Sequence, residues 1–433
     1  MDRRGFLKLT GAGAGGLLIG FATERGRGGK SETRAATVTD ADSDSAAATT
    51  PGKVEAAGET KNGKVTKAAP VKQRRLVVIE LDGGNDGLST LVPYGLGRYN
   101  DLRPRTKIDA KQLAAIDKTY AVPKTLKGAW DSGLAFVMGV GTAQPDGSHF
   151  AMMNRWWAGD VTGKATTATG FLGRLADRIG DPNAEGVGIV IGSSMSPALA
   201  ADKVSTLALP GTDSARYLVR GDDNDMAKLF QSGFVSMMQG DAEPLGLARA
   251  SGRSAVAFAE KLEKLGDGAD GYPGSQLGQS LALAARMMSA NENLKIALVT
   301  TGGYDTHTNH RDNHANLMQD LNDSLVAFNN DLDARGLRDA VAIATTSEFG
   351  RKAHDNASNG LDHGAASVAM LLGPVHGGLY GEYSSLDKLD DDDNLVATIG
   401  FDSYYATIAE KWFEVPASDV LGGNPKPIDK LFL

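Results

Sequence analysis

No cysteine occurs anywhere in the 433 residues. Its absence excludes disulfides, thiolate zinc sites, iron–sulfur clusters and cysteine nucleophiles, so a metal can be held only by His, Asp, Glu or carbonyl oxygen. Positive charge is also short: 45 Lys and Arg stand against 53 Asp and Glu, a formal net charge of −8. No nucleic-acid partner is expected, because a phosphate array does not attract such a chain overall. Long apolar runs are missing as well. The one weakly apolar stretch, ending near Ala22 and rich in glycine, is shorter than the roughly 20 residues of a spanning helix, so no permanent membrane span is expected once it is cleaved.

What is present divides the chain in three. Met1-Asp2-Arg3-Arg4-Gly5-Phe6-Leu7-Lys8 sets two arginines ahead of Phe-Leu-Lys and resembles a twin-arginine export signal over residues 1–22. The translocation machinery for folded proteins is therefore an expected partner, and the periplasm, cell surface or exterior the expected location. Gly11, Gly13 and Gly16 satisfy the spacing G-x-G-x-x-G, but no strand precedes them, so the dinucleotide reading fails. Residues 23–73 are Ala, Thr, Ser, Gly, Asp and Lys with almost no large apolar side chain; they cannot offset their ordering entropy and read as a disordered linker. Residues 74–433 form one α/β domain, with a helical insertion at about 193–275.

Within that domain, short apolar runs at 75–81, 134–141, 188–192, 294–300 and 340–346 alternate with helical patterns at 148–158, 169–179, 225–238, 246–265, 275–290, 310–334 and 404–413. The alternation predicts a three-layer α/β sandwich with a mainly parallel central sheet. In such sheets ligands sit beyond the carboxyl ends of the strands. Four of the runs are followed by polar clusters: Asp82 and Asp86; Asp146, Ser148 and His149; Asp305, His307 and His310; Ser347, Glu348 and Arg351 with Asp362 and His363. Five of the seven histidines (His149, His307, His310, His354 and His363) lie in these segments. Convergence of Asp, Glu and His without Cys is the ligand set of a hydrolytic divalent metal site, with Zn²⁺, Mn²⁺, Mg²⁺ or Ca²⁺ as the ion and one or two ions bound. Asp305 and His307, alternate residues of an extended stretch, point the same way and suit one ion. His310 and His314 are one helical turn apart, which leaves a further ligand open at His310. Gly360 and Gly364 around His363 suggest close backbone approach to an ion. Arg351 and Arg174 are candidates for binding an anionic substrate.

Six segments in order carry a family resemblance: Leu81 to Gly87, Ser148-His149-Phe150 with Trp156-Trp157, Gly170 to Arg174, Gly302 to His307, Ser347 to Arg351, and Asp362-His363-Gly364. Together they resemble the DUF1501 family, a set of secreted bacterial proteins placed by fold with the alkaline phosphatases and sulfatases. The resemblance implies a two-metal hydrolase with a Ser or Thr nucleophile. It implies that Asp82 opens the metal site, that Glu348 stands where phosphatases have an Asp-His pair, and that His363 is the later His ligand. Asp305 and His307 look like the Asp/His ligand pair, although position 309 is Asn309 where the usual Asp-x-x-x-His spacing has its His. Ser148 lies where the nucleophile should be, at a helix N-terminus that favours an alkoxide and a bound phosphate; Asp-Gly-Ser is equally an ordinary helix cap, and His149 is the alternative functional group there. The sulfatase motif Cys/Ser-x-Pro-x-Arg is absent, which favours phosphatase or phosphodiesterase chemistry.

The function expected from these residues is an exported metal-dependent hydrolase of phosphate or sulfate esters, small or polymeric, with the ions polarising the ester and activating Ser148 or water. The alternative is a non-catalytic envelope protein that retains the fold and binds a polysaccharide or a partner.

Overall fold

Every residue of β1 (Arg75–Leu81) is buried, because an aliphatic run with helices on both faces of its sheet has no solvent side. The computed structural model describes residues 67–433 apart from 166, 210–231, 241–248, 250–251, 258–260 and 262–270, all within one compact unit. The expected signal at 1–22 and nearly all of the linker lie outside the described residues. The folded unit starts somewhat before Arg74: Ala69 is 3% exposed and its N–H donates to the Asp339 carbonyl at 2.8 Å.

Strands β2 (Leu113–Ala115) and β3 (Ala121–Pro123) form a separate antiparallel pair. The remaining strands are β4 (Ala135–Gly141), β5 (Gly188–Ile191), β6 (Thr206–Leu209), β7 (Ile296–Thr301), β8 (Val341–Thr346), β9 (Ser367–Leu372), β10 (Gly378–Tyr380) and β11 (Ile399–Gly400). With β1 they make a nine-stranded sheet in the order β10-β4-β9-β8-β1-β7-β5-β6, with β11 also on β4. β1 is parallel to β7 and β8, and only β9 runs against its neighbours, β8 and β4. Two reversals cancel, so β4 runs the same way as β1. The carboxyl ends of β1, β4, β7 and β8 therefore share one edge of the sheet.

Helices flank both faces: α1 (Gly87–Thr90), α2 (Gly97–Leu102), α3 (Lys127–Asp131), α4 (His149–Ala158), α5 (Phe171–Ile179), α6 (Gln276–Ala290), α7 (His310–Ala334) and α8 (Phe401–Thr407). Alternation along β1 separates two cores. Leu76 and Val78 pack with Trp156 of α4, Phe171 of α5 and Phe401 of α8. Val77, Ile79 and Leu81 pack with Leu281 of α6 and Met318 and Phe328 of α7. The protein is thus a three-layer α/β sandwich with a mostly parallel sheet, and its five expected strands fall within two residues of the predicted bounds. The expected insertion is not wholly helical, since β6 extends the sheet into it. Of the helices expected at 225–238 and 246–265, the described stretches 232–237 and 252–257 are helical, and the remainder lies mostly outside the described residues. The helix expected at 404–413 instead starts at Phe401 and passes into a π turn, Ile408–Trp412.

Candidate metal centre

Each loop at the shared edge delivers polar side chains, and four of them converge. His149 opens α4 after β4, Asp305 and His307 follow β7, and His363 comes from the long segment between β8 and β9. The Nε2 atom of His363 lies 3.0 Å from Nε2 of His149 and 3.0 Å from Nε2 of His307. Asp305 Oδ1 is 3.2 Å from His363 Nε2 and 3.1 Å from His307 Nε2, while its Oδ2 is 3.7 Å from His149 Nε2. Among the described residues, His149, Asp305 and His363 offer ligand atoms that all lie within 4.8 Å of one another.

The opposite ring nitrogens explain the orientation. His149 Nδ1 bonds Glu348 Oε1 (2.6 Å), His307 Nδ1 bonds Asp362 Oδ1 (2.9 Å), and His363 Nδ1 bonds the Gly147 carbonyl (2.7 Å). Carbonyl and carboxylate oxygens accept, so each Nδ1 carries the proton and each Nε2 turns a lone pair inward. Three lone pairs and a carboxylate facing one another repel unless a cation lies between them. Bonds of 2.0–2.1 Å to a tetrahedral ion place ligand atoms about 3.3 Å apart, and the separations of His363 from His149, His307 and Asp305 are 3.0, 3.0 and 3.2 Å. A carboxylate or carbonyl on the far nitrogen is the usual outer-sphere partner of a histidine that ligates such an ion. The residues therefore fit a divalent metal. Asp305 remains ionised: partial burial would raise its carboxyl, but the Arg351 guanidinium at 2.6 Å holds it below its usual value. Asp362 is lowered by its hydrogen bonds from Asn356 and His307.

The other expected residues take different places. Glu348 is not among the converging atoms; its side chain is 1% exposed, and Oε1 accepts from His149 and from the Gly83 N–H at 2.9 Å, so it orients a ligand. Asp362 does the same for His307. Asp82 follows β1 as expected, but its carboxylate is outside the converging group. His149, expected as a catalytic group, belongs to the cluster itself. Arg351 is corrected from substrate binding: it is fully buried, and its guanidinium donates to the carbonyls of Gly83, Gly84, Tyr304 and Leu361 as well as to Asp305. Arg174 is corrected likewise, since it ties the carbonyls of Ala158, Thr169 and Val420 together. Gly360 and Gly364 give close approach, but to backbone: a Cβ on Gly360 would lie 2.0 Å from the His307 carbonyl oxygen, and one on Gly364 would lie 2.4 Å from the Arg351 carbonyl carbon. Ser148 is exposed and its Oγ accepts from the Ala151 N–H at 3.4 Å as the cap of α4.

His310 is the clearest correction. Asn309, at φ 48°, turns the chain sharply, and the His310 ring enters a second, buried network. Its Nδ1 lies 2.8 Å from Thr306 Oγ1, and its Nε2 lies 3.1 Å from both Asp86 Oδ2 and Ser89 Oγ. Asp86 also receives two 2.9 Å bonds from Arg103, with both side chains fully buried. With both its nitrogens engaged, His310 has none left for an ion. His314 stacks on it with ring centroids 5.0 Å apart, and burial pushes His314 down to about 3, so it is neutral.

One further group escaped the sequence reading. Glu80 sits inside β1, where burial raises its carboxyl to about 7 although the Trp157 indole N–H donates to it at 3.1 Å; the charges of Glu348 and Asp82 raise it further. The signal was a lone carboxylate in an aliphatic strand.

Because Glu348 holds the His149 ring with its Nε2 turned to the cluster, Glu348→Gln is expected to weaken divalent-metal binding about tenfold without unfolding the chain. Competition titration against a chromogenic chelator reads the change, and an unaltered affinity would contradict the orienting role.

Fold and geometry define an α/β protein with a histidine–carboxylate centre at the carboxyl edge of a mostly parallel sheet. The chain belongs to the family described as "Protein of unknown function (DUF1501)", whose model matches residues 133–399. No curated protein matches it. Among solved structures it is similar to the PsFucS1 sulfatase from Pseudoalteromonas sp. (11% identity, 82% of this chain and 71% of that one, TM-score 0.39). It is similar also to the lipoteichoic acid synthase LtaP from Listeria monocytogenes (11%, 83% and 78%, TM-score 0.37). A third is the alkaline phosphatase from the Antarctic bacterium TAB5 (11%, 71% and 95%, TM-score 0.30). Among the described residues no helix is long and apolar enough to cross a membrane.

Proposed function

We propose that the protein is an exported, metal-dependent hydrolase of phosphate or sulfate esters. The observation that carries the reading is the convergence of three histidine Nε2 atoms on the Asp305 carboxylate, each ring fixed from behind by an acceptor. His149, His307, His363 and Asp305 would hold the ion, with Zn²⁺ or Mn²⁺ best suited to that nitrogen-rich set. A bound divalent cation supplies polarisation of the ester and activation of the attacking oxygen. The cluster is open enough for a substrate to reach it, with side-chain exposures of 24% at His363 and 47% at Asp305.

In this reading Ser148 is the attacking group. Its two chain neighbours both touch the cluster, Gly147 through its carbonyl and His149 through its ring. Its place at the first turn of α4 favours the developing alkoxide. Ser148→Ala is expected to lower kcat about a thousandfold or more while leaving bound metal unchanged. The same change removes a helix cap worth about 1 kcal/mol, which a denaturation curve separates from the catalytic loss. Turnover that survives Ser148→Ala assigns the attack to water. The reading as a whole is tested by a panel of nitrophenyl phosphate, bis-phosphate and sulfate esters with Zn²⁺ or Mn²⁺ added and then chelated. Metal-dependent cleavage of at least one ester is expected; no cleavage by metal-loaded protein would overturn the hydrolase reading and leave a metal-binding envelope protein.

A further inference from the structure

A cavity of about 240 Å³ opens beside the first turn of α7, walled by residues outside the metal centre. Its apolar wall includes Pro123 and Met318, and its floor presents three polar groups with unused hydrogen-bonding capacity. Thr125 Oγ1 is buried with no partner. Ser89 Oγ lies against His310 Nε2; because that nitrogen carries its proton toward Asp86, the Ser89 O–H is left free to donate. His314 is 2% exposed and donates Nε2–H to Asn85 Oδ1 at 3.1 Å, so its Nδ1 is an acceptor with no donor among the described residues.

The mouth has the opposite character. Lys111, Lys124 and Arg311 are exposed around it, with Asp312 the one carboxylate in the lining. Arg311 is shared with Asp109 at 2.9 Å, which leaves the two lysines as the main cations. The N-terminus of the 25-residue α7 also meets the cavity, and its cap residue Asn309 makes no side-chain bond to the first turn, so the helix dipole there adds to the positive field. Unsatisfied hydroxyls and an imidazole lone pair below, with cationic groups above, match a molecule that carries hydroxyl groups at one end and a negative charge at the other. The volume is below the roughly 300–1,000 Å³ of drug-sized pockets, which sets the guest at the size of a small metabolite.

We propose that this cavity is a second ligand site, distinct from the metal centre, for a small hydroxylated anion whose charged end meets Lys111, Lys124 and the first turn of α7 and whose hydroxyls meet Ser89, Thr125 and His314. The anion is a carboxylate or a phosphate. Calorimetric titration of the full chain tests it, with D-gluconate and glucose 6-phosphate as the two anionic probes and glucose and hexanoate as controls lacking the charge or the hydroxyls. The His363→Ala variant removes the metal centre as a competing site. At least one anionic probe is expected to bind saturably to His363→Ala, more tightly than either control, and to lose about tenfold in affinity in the His363→Ala/Lys124→Glu double variant. Thr125→Val, which keeps the shape and removes the hydroxyl, is expected to weaken the same probe severalfold. The proposal is overturned if neither anion binds His363→Ala below about 10 mM, or if the bound anion is indifferent to both Lys124→Glu and Thr125→Val.

Discussion

His363→Ala is expected to lower divalent-metal affinity about a hundredfold or more and to remove ester turnover with it. The effect is large because His363 is the hub of the centre: its Nε2 is the one atom within 3.2 Å of His149, His307 and Asp305 together. Without it the remaining lone pairs surround a void, and the Gly147 carbonyl loses the ring N–H that it accepts from. Loss at Gly147 also frees the segment that carries Ser148. The experiment is equilibrium metal titration followed by turnover at saturating metal. Were saturating metal to restore wild-type kcat, His363 would not contact the reacting centre.

Asp86→Ala is expected to destabilise the fold by about 3–5 kcal/mol, read as a shift in denaturant midpoint at unchanged slope. The change strands the Arg103 guanidinium and the His310 ring in the interior, and a buried charge without its partner is costly. Arg103 also donates to the Lys352 and Ala353 carbonyls at 2.8 and 2.7 Å, so the pair ties the loop after β1 to the segment that leads to His363. The pH dependence has a defined sign. Burial alone would raise the Asp86 carboxyl, but Arg103 and His310 hold it well below the usual carboxylate range. A carboxyl depressed in the folded state contributes stability that is fully present above its unfolded value and is lost as pH falls through the folded one. Wild-type protein should therefore keep this contribution down to about pH 4, whereas Asp86→Ala lacks it throughout that range. A loss below 1 kcal/mol at neutral pH would contradict the account of the buried pair.

Much of this architecture was legible because β1, β4, β5, β7 and β8 are short aliphatic runs, each ending where glycine or polar residues begin. The edge of the sheet that carries the site followed from their shared direction. β9 was missed since a single antiparallel strand has no crossover helix to announce it, and its Ser-Val-Ala-Met-Leu-Leu run follows a long loop. The sorting of histidines was only partly legible. His307 and His310 are three residues apart, yet one faces the candidate metal centre and the other a buried ion pair, with Asn309 in a left-handed conformation between them. Arg351 reads as a substrate-binding candidate because a sequence cannot show that four backbone carbonyls surround its guanidinium. Glu348 reads in sequence as a metal ligand; that it holds His149 instead is a matter of 2.6 Å geometry.

The account rests on one cation lying among His149, His307, His363 and Asp305. An anomalous-scattering map from crystals of the protein grown with Zn²⁺ tests this directly. The account predicts a peak about 2.0–2.2 Å from the histidine Nε2 atoms and from an Asp305 oxygen. A protein saturated with zinc but showing no peak among these four residues would contradict it.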